Sequence, residues 1–298
     1  MVAGVAVASV LAVAVAATGG VVWFLRSLDE PARPVRCAAA LDGTDWYLSP
    51  VQAENAALIA GASIQRGLPA RAATIALATA LQESRLENID YGDRDSVGLF
   101  QQRPSQGWGS VDEIMDPVYS TGKFYDGLVE VDGYEDLEVT VAAQAVQRSG
   151  FPDAYAQHET RSRAWASALT GASPGAITCS LPVPDPDDPA VGDGGSTADL
   201  AELLTRDLGL PGDVVALSDD GASAVVDATS LPYDDAGRSA WAVAHWAVAT
   251  ALTTGTTEVR VADQVWTRES ASWTPAQEAD DPSAGDQAVG EVTVHLGA

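Results

Sequence analysis

Residues 181–197 read Leu-Pro-Val-Pro-Asp-Pro-Asp-Asp-Pro-Ala-Val-Gly-Asp-Gly-Gly-Ser-Thr. Prolines stiffen such a run, aspartates repel one another, and nothing in it can build a core. The chain is therefore expected to fold on either side of it. A length of 298 residues and an apolar content of 46 % leave room for about two domains with real cores. The organisation read from the sequence is an anchor over 1–28, a stalk over 29–44, a first domain over 45–180, the linker over 181–197 and a second domain over 198–298.

The two sides of the linker differ in hydrophobic period. On the N-terminal side, Ser49-Pro50-Val51-Gln52 is a helix start, with Ser49 as cap and Gln52 able to reach back to it. Ala56, Leu58, Ile59, Ala62 and Ile64 continue that helix to Gly67. Pro69 opens a second helix, whose apolar side is Ile75, Leu77, Ala78 and Leu81. Further helices are expected over 117–131, 137–149 and 152–170, with Gly150 and Gly171 as stops. No period-two stretch stands out between 37 and 179, so this domain is predicted to be mainly α. Beyond the linker, helices are expected over 198–208 and 237–253. Strands are expected over 214–217 and 222–227 around Asp220-Gly221, over 258–261 and 265–267, and over 289–296. That pattern predicts a small α+β domain.

Residues 2–25 carry no charged side chain. At about 1.5 Å per residue they can cross a hydrocarbon core of about 30 Å, with Trp23 and Phe24 at the interface. A cleaved signal peptide competes, with Ala14-Val15-Ala16 as its cleavage site, but its apolar region is usually only about 7–15 residues. Length favours an N-terminal transmembrane helix. Arg26, Arg33 and Arg36 follow the span, which by the positive-inside tendency would hold the remainder in the cytoplasm. Cys37 and Cys179, the only two cysteines, argue the other way. In an oxidising compartment they would close a disulfide, the alternative being two unrelated buried thiols. The reading adopted is a single-pass cell-membrane protein with its soluble domains on the extracytoplasmic face.

Sixteen basic residues against 42 acidic ones give a net charge of −26. This excludes a nucleic-acid partner, which needs a basic surface. The three histidines, His158, His245 and His295, lie far apart and form no metal-ligand spacing. His245 shares a helix face with Trp241 and reads as packed. The run Asp93-Arg94-Asp95-Ser96-Val97-Gly98 starts like a calcium loop, yet Val97 and Pro104 fall where ligands are required. No Gly-x-Ser-x-Gly elbow and no phosphate-cradling glycine motif occurs. No metal and no cofactor is expected.

Glycosidic cleavage suits the remaining residues better. It needs a carboxylic acid that stays protonated near neutral pH. Glu83 lies at the end of an alanine-rich helical segment, where apolar neighbours raise a carboxyl pKa by desolvating its charged form. A glycine-containing acidic loop follows, then Gly98-Leu99-Phe100-Gln101-Gln102. Amide and aromatic side chains suited to a sugar groove are present in Gln101, Gln102, Gln106, Trp108, Gln144, Gln147 and Tyr155. The bland alternative is a solvated glutamate at a helix end.

Over residues 45–170 the chain resembles the soluble lytic transglycosylases and goose-type lysozymes of the lysozyme-like superfamily. Glu83-Ser84 resembles the group's Glu-Ser signature at the end of a core helix. Gly98-Leu99-Phe100-Gln101 resembles its Gly-Leu-Met-Gln block. Ala142-Ala143-Gln144-Ala145 stands where the group has Ala-Tyr-Asn, with Ala143 and Gln144 departing from it. The run 98–108 and the later 144–155 look like an actinobacterial subgroup found in membrane-attached cell-surface proteins.

The resemblance implies a peptidoglycan-cleaving enzyme. Glu83 would be general acid, then base, at the bond between N-acetylmuramic acid and N-acetylglucosamine. Ser84 would orient Glu83 and Gln101 would bind the sugar, with Gln102, Gln144, Gln147 and Tyr155 as further substrate-binding candidates by residue type. Asp90, Asp93 and Asp95 are the candidates for a second carboxylate should the reaction be hydrolytic. The expected partners are peptidoglycan, the membrane and an envelope protein complex. The alternative is a non-catalytic peptidoglycan-binding or envelope scaffold protein with an inactive lysozyme-like fold.

Overall fold

A computed structural model describes residues 33–183, 196–219, 221–276 and 287–297. The first elements are two strands, β1 (Arg36–Leu41) and β2 (Thr44–Leu48), joined by Asp42-Gly43. Both turn residues have positive φ, 50° and 75°, as the tight primed hairpin turn requires. Helix α1 (Pro50–Gln65) follows, with the expected capping box between Ser49 and Gln52. Then come α2 (Ala70–Ser84), α3 (Val111–Met115), α4 (Pro117–Val129), α5 (Val139–Gln147) and α6 (Glu159–Leu169). Strand β3 (Ile177–Ser180) returns to pair antiparallel with β1, giving a three-stranded sheet in the order β2-β1-β3. Cys37 faces Cys179 across that pairing and the two form a disulfide.

After the linker come α7 (Thr197–Leu208), β4 (Val215–Leu217), β5 (Ser223–Asp227), α8 (Ala236–Ala249) and α9 (Ala251–Thr254). Strands β6 (Thr256–Val261), β7 (Gln264–Thr267), β8 (Ser272–Pro275) and β9 (Glu291–Leu296) complete an antiparallel sheet in the order β4-β5-β9-β6-β7-β8. Val226, Val259, Val261, Val292 and Val294 fill its buried face, alternating with half-exposed neighbours. Helix α8 packs across β6 and β9 on that face.

Two expectations are corrected here. The first domain is not mainly α: β1, β2 and β3 make it α+β, like the second. Its central strand hides its period because Cys37, Ala38 and Ala39 are buried in succession. The two flanking strands are only five and four residues long. Asp42-Gly43 was the readable signal, and it fell in what composition assigned to the stalk. The second correction concerns the transmembrane helix and the single-pass cell-membrane placement. Among the described residues no helix is long and apolar enough to cross a membrane. The longest, α1, has 16 residues and spans about 24 Å, short of the roughly 30 Å of a hydrocarbon core. The segment 2–25, on which that expectation rested, lies outside the described residues.

The parts before and after the linker share one core. The described residues from 35 onward cluster as a single unit, with α7 and α8 against α1, and α8 also against α6 and β3. Gly61 of α1 permits this contact, since a Cβ there would lie 2.3 Å from the Asp207 carbonyl oxygen. Gly171, at φ +73°, is equally constrained, because its Cβ would lie 2.0 Å from the Arg238 carbonyl oxygen. Tryptophans of the second part tie it to the first. Trp273 donates to the Ile177 carbonyl at 2.7 Å and Trp266 to the Thr178 hydroxyl at 3.0 Å. Within the second part, Trp246 donates to the buried Asp207 carboxylate at 2.9 Å, bracing the helix that meets Gly61. These indoles are packing residues, as their burial and polar partners require.

Candidate functional site

Helix α2 is buried along residues 72–81, so it is fixed in the core and delivers its last turn to a defined place. The helix ends at Arg85 and Leu86, two consecutive residues with φ 60° and 62°. Side-chain-bearing residues enter that region at a cost of about 1–2 kcal/mol each. Helix α1 holds the turn: Gln52 donates to the Arg85 carbonyl and Asn55 to the Leu86 carbonyl, both at 2.8 Å. Glu83, two residues earlier, is thereby held from both sides.

The loop 97–102 is pinned against the same helix end. Val97 and Gln102 exchange backbone hydrogen bonds, and the Ser84 hydroxyl donates to the Leu99 carbonyl at 2.7 Å. Gly98 sits at φ 80°, where a Cβ would lie 2.8 Å from the Ile114 carbonyl oxygen. Phe100 is buried and stacks on Phe124. Its carbonyl accepts from Gln147 Nε2 at 2.8 Å, which joins α5 to the loop.

Together these pieces enclose a cleft of about 580 Å³ with Glu83 in its lining. Behind Glu83 the fully buried Tyr155 donates its hydroxyl to Glu83 Oε1 at 2.6 Å. Burial pushes the Glu83 carboxyl above its ordinary value, opposed by the hydrogen bond from Tyr155 and by the Gln147 amide. Burial, with the neighbouring carboxylate, also pushes the Tyr155 phenol well up, so Tyr155 remains a donor.

Glu83, Asp93, Gln101, Gln102 and Gln147 share the cleft. Gln101, at φ 48°, rests its amide against Gly92, where a Cβ would collide with it, and donates to the Tyr91 carbonyl at 3.2 Å. Gln102 is buried and its Nε2 is engaged by the Ser120 carbonyl at 3.0 Å. Tyr155 contacts Glu83 from behind and does not line the cleft. Ser84 is turned inward to Leu99. Gln144 is outside the lining and donates to the Ser149 carbonyl at 2.9 Å.

Asp90 is exposed and outside the lining. Asp95 is engaged elsewhere, accepting from the Ser105 amide and from Arg103 Nε, both at 2.8 Å. Hydrogen bonds from Ser105 and then Arg103 hold its carboxyl well below the usual carboxylate range. Among the described residues Asp93 is thus the one other carboxylate in the cleft lining.

No protein-family model and no curated protein matches the chain.

The sequence reading missed Arg94, Arg148, Ser149 and Phe151, all in the cleft lining. Phe151 is 77 % exposed, an apolar ring at the rim where a sugar face can stack. A phenylalanine between Gly150 and Pro152 has no helix or strand face on which to bury, and that was its readable signal. A second cavity of about 590 Å³ adjoins the first and shares Gln106, Trp108, Gln147 and Arg148 with it. Among the described residues no group of three or more His, Cys, Asp and Glu side chains is placed to hold a metal.

Proposed function

We propose that the chain cleaves the glycosidic bond between N-acetylmuramic acid and N-acetylglucosamine in peptidoglycan, as a lytic transglycosylase or muramidase with Glu83 as general acid. The supporting observation is a lone glutamate in a cleft, with its pKa raised by burial and one oxygen held by a buried tyrosine. The ordered likeness of Glu83-Ser84 and Gly98-Leu99-Phe100-Gln101 to the lysozyme-like group supports the same reading. With Oε1 held by Tyr155, the proton leaves from Oε2 to the glycosidic oxygen. The Tyr155 hydroxyl then stabilises the carboxylate that forms. That carboxylate takes a proton either from the muramyl 6-hydroxyl, closing an anhydro ring, or from water. The first route needs no second carboxylate, whereas the usual hydrolytic scheme needs two. In a hydrolytic route Asp93 is the second group.

Glu83→Gln in the full chain is expected to lower release of muropeptides from purified cell wall by about 10²–10⁴-fold, with wall binding retained. Mass spectrometry of the products separates anhydro from reducing ends. If the unaltered chain releases no muropeptides from any wall tested, the catalytic reading fails. A binding-only role draws support from the Gln102 and Gln144 amides, which are engaged by the chain's own carbonyls. It predicts equal wall binding, without cleavage, by both proteins.

A further inference from the structure

The chain is strongly acidic, with 42 acidic against 16 basic residues, yet three arginines line the Glu83 cleft. They are not equivalent. Arg103 is neutralised by Asp95 at 2.8 Å. Arg94, exposed as Arg148 is, lies 3.8 Å from Asp93. Arg148 has no ion pair and no side-chain hydrogen bond among the described residues. Among the described residues it is also the one cation that lines both cavities, and so stands where they meet.

Its placement is built into the fold. Arg148 closes α5 in the left-handed region at φ 52°, its amide donating to the Gln144 carbonyl at 2.9 Å. The Gln144 side chain then clamps the next carbonyl, that of Ser149. A side-chain-bearing residue is uncommon at such φ, and Asn or Gly would meet the backbone requirement more easily. Five of the eight non-glycine residues with positive φ among the described residues, Arg85, Leu86, Arg94, Gln101 and Arg148, are Glu83-cleft residues or close the helix that carries Glu83. Strained backbone gathers at functional sites in this way.

We propose that Arg148 forms an anion subsite that takes a carboxylate carried by the glycan at the junction of the two cavities. This rests on reading the Glu83 cleft as a glycan site. A single planar guanidinium pairs with a carboxylate through two parallel hydrogen bonds. Asp93 in one cavity and Glu130 in the other disfavour a more highly charged group. The carboxylate can come from the lactyl arm of a stem-free muramyl sugar or from the end of a peptide stem.

The test measures binding to the full-length Glu83→Gln protein by calorimetry. Three probes of equal length are used: neutral chitotetraose, a stem-free muramyl–glucosaminyl tetrasaccharide, and the same tetrasaccharide with its lactyl groups capped by a short peptide. At least one charged probe is expected to bind about ten-fold more tightly than chitotetraose, the scale of one charged hydrogen-bonded contact. Added Arg148→Gln or Arg148→Asn should abolish that preference. The asparagine variant keeps a residue suited to φ 52° and so controls for folding, read by its thermal transition. Preference for the stem-free probe alone assigns the lactyl arm; preference for the capped probe alone assigns the stem. Equal binding of all probes, no binding, or a preference that survives both variants overturns the proposal. Muropeptide release by the unaltered protein is scored separately. Its absence, with the Arg148-dependent preference intact, removes the catalytic reading alone.

Discussion

Glu83 and Tyr155 behave as one unit. The phenol lowers the Glu83 pKa against a larger rise from burial, so its removal sends that pKa further up. Tyr155→Phe is therefore expected to shift the alkaline limb of the pH–rate profile to higher pH and to lower the maximal rate. Glu83 also affects stability with a definite sign. Its folded-state pKa is raised, so ionisation favours the unfolded chain, and the penalty grows as pH rises through the folded value. Glu83→Gln should be more stable than the unaltered protein at neutral pH and should lose that advantage below about pH 4, where glutamate is protonated in both states. Chemical denaturation across pH 3–8 checks this. His245 has the opposite dependence. It is fully buried, its Nδ1 lies 2.8 Å from the Ala168 carbonyl, Nε2 has no hydrogen-bond partner among the described residues, and burial pulls its pKa down to about 4. The stability this neutral ring provides is complete above pH 6.5 and is lost as pH falls towards 4, by about 3 kcal/mol. Trp241 and Trp273 pack against the ring, with centroids 5.2 and 6.1 Å from it.

Among the elements, α2 is the frame of the cleft and α8 is the element that unites the two parts. Gly171 lies where α6 meets α8, with positive φ and no room for a Cβ. Gly171→Ala combines backbone strain with overpacking and should cost about 2–4 kcal/mol, measured by urea denaturation. The helices were legible because their caps and apolar stripes agree: Ser49 with Gln52, Pro69, and Asp116-Pro117 all mark real starts. The expected helix over 152–170 begins in fact at Glu159. Residues 156–158 form a 3-10 turn, which points Tyr155 towards Glu83, a tertiary role that periodicity cannot register. The strands of the first part escaped notice because a buried alanine run has no alternation to read. In the cleft, residue type alone could not tell which amides face the cavity. Gln101 and Gln147 line it, whereas Gln144 is held by a carbonyl that only the folded turn brings near.

For the molecule as a whole, the linker separates segments of chain but not cores. The unit that unfolds is expected to be residues 35–298 together, with one cooperative transition by both near- and far-ultraviolet circular dichroism. A fragment of residues 33–183 would expose the faces of α1 and α6 that α7 and α8 cover, and it should lose near-ultraviolet signal and bind hydrophobic dye. Reducing the Cys37–Cys179 disulfide frees a loop of 142 residues and should lower stability by about 5 kcal/mol on the chain-entropy model.

That disulfide also determines how the molecule carries tension. It joins the first strand of the sheet to the last, at directly facing positions. A force applied near Pro34 and Pro182 runs from β1 to β3 through the sulfur atoms and bypasses every helix that builds the cleft. Oxidised protein pulled between those points should show almost no extension from this region. Reduction should add roughly 500 Å of contour length at one residue per 3.3–3.6 Å, for the 142-residue separation. The cleft is thus shielded from mechanical load by a single covalent bond.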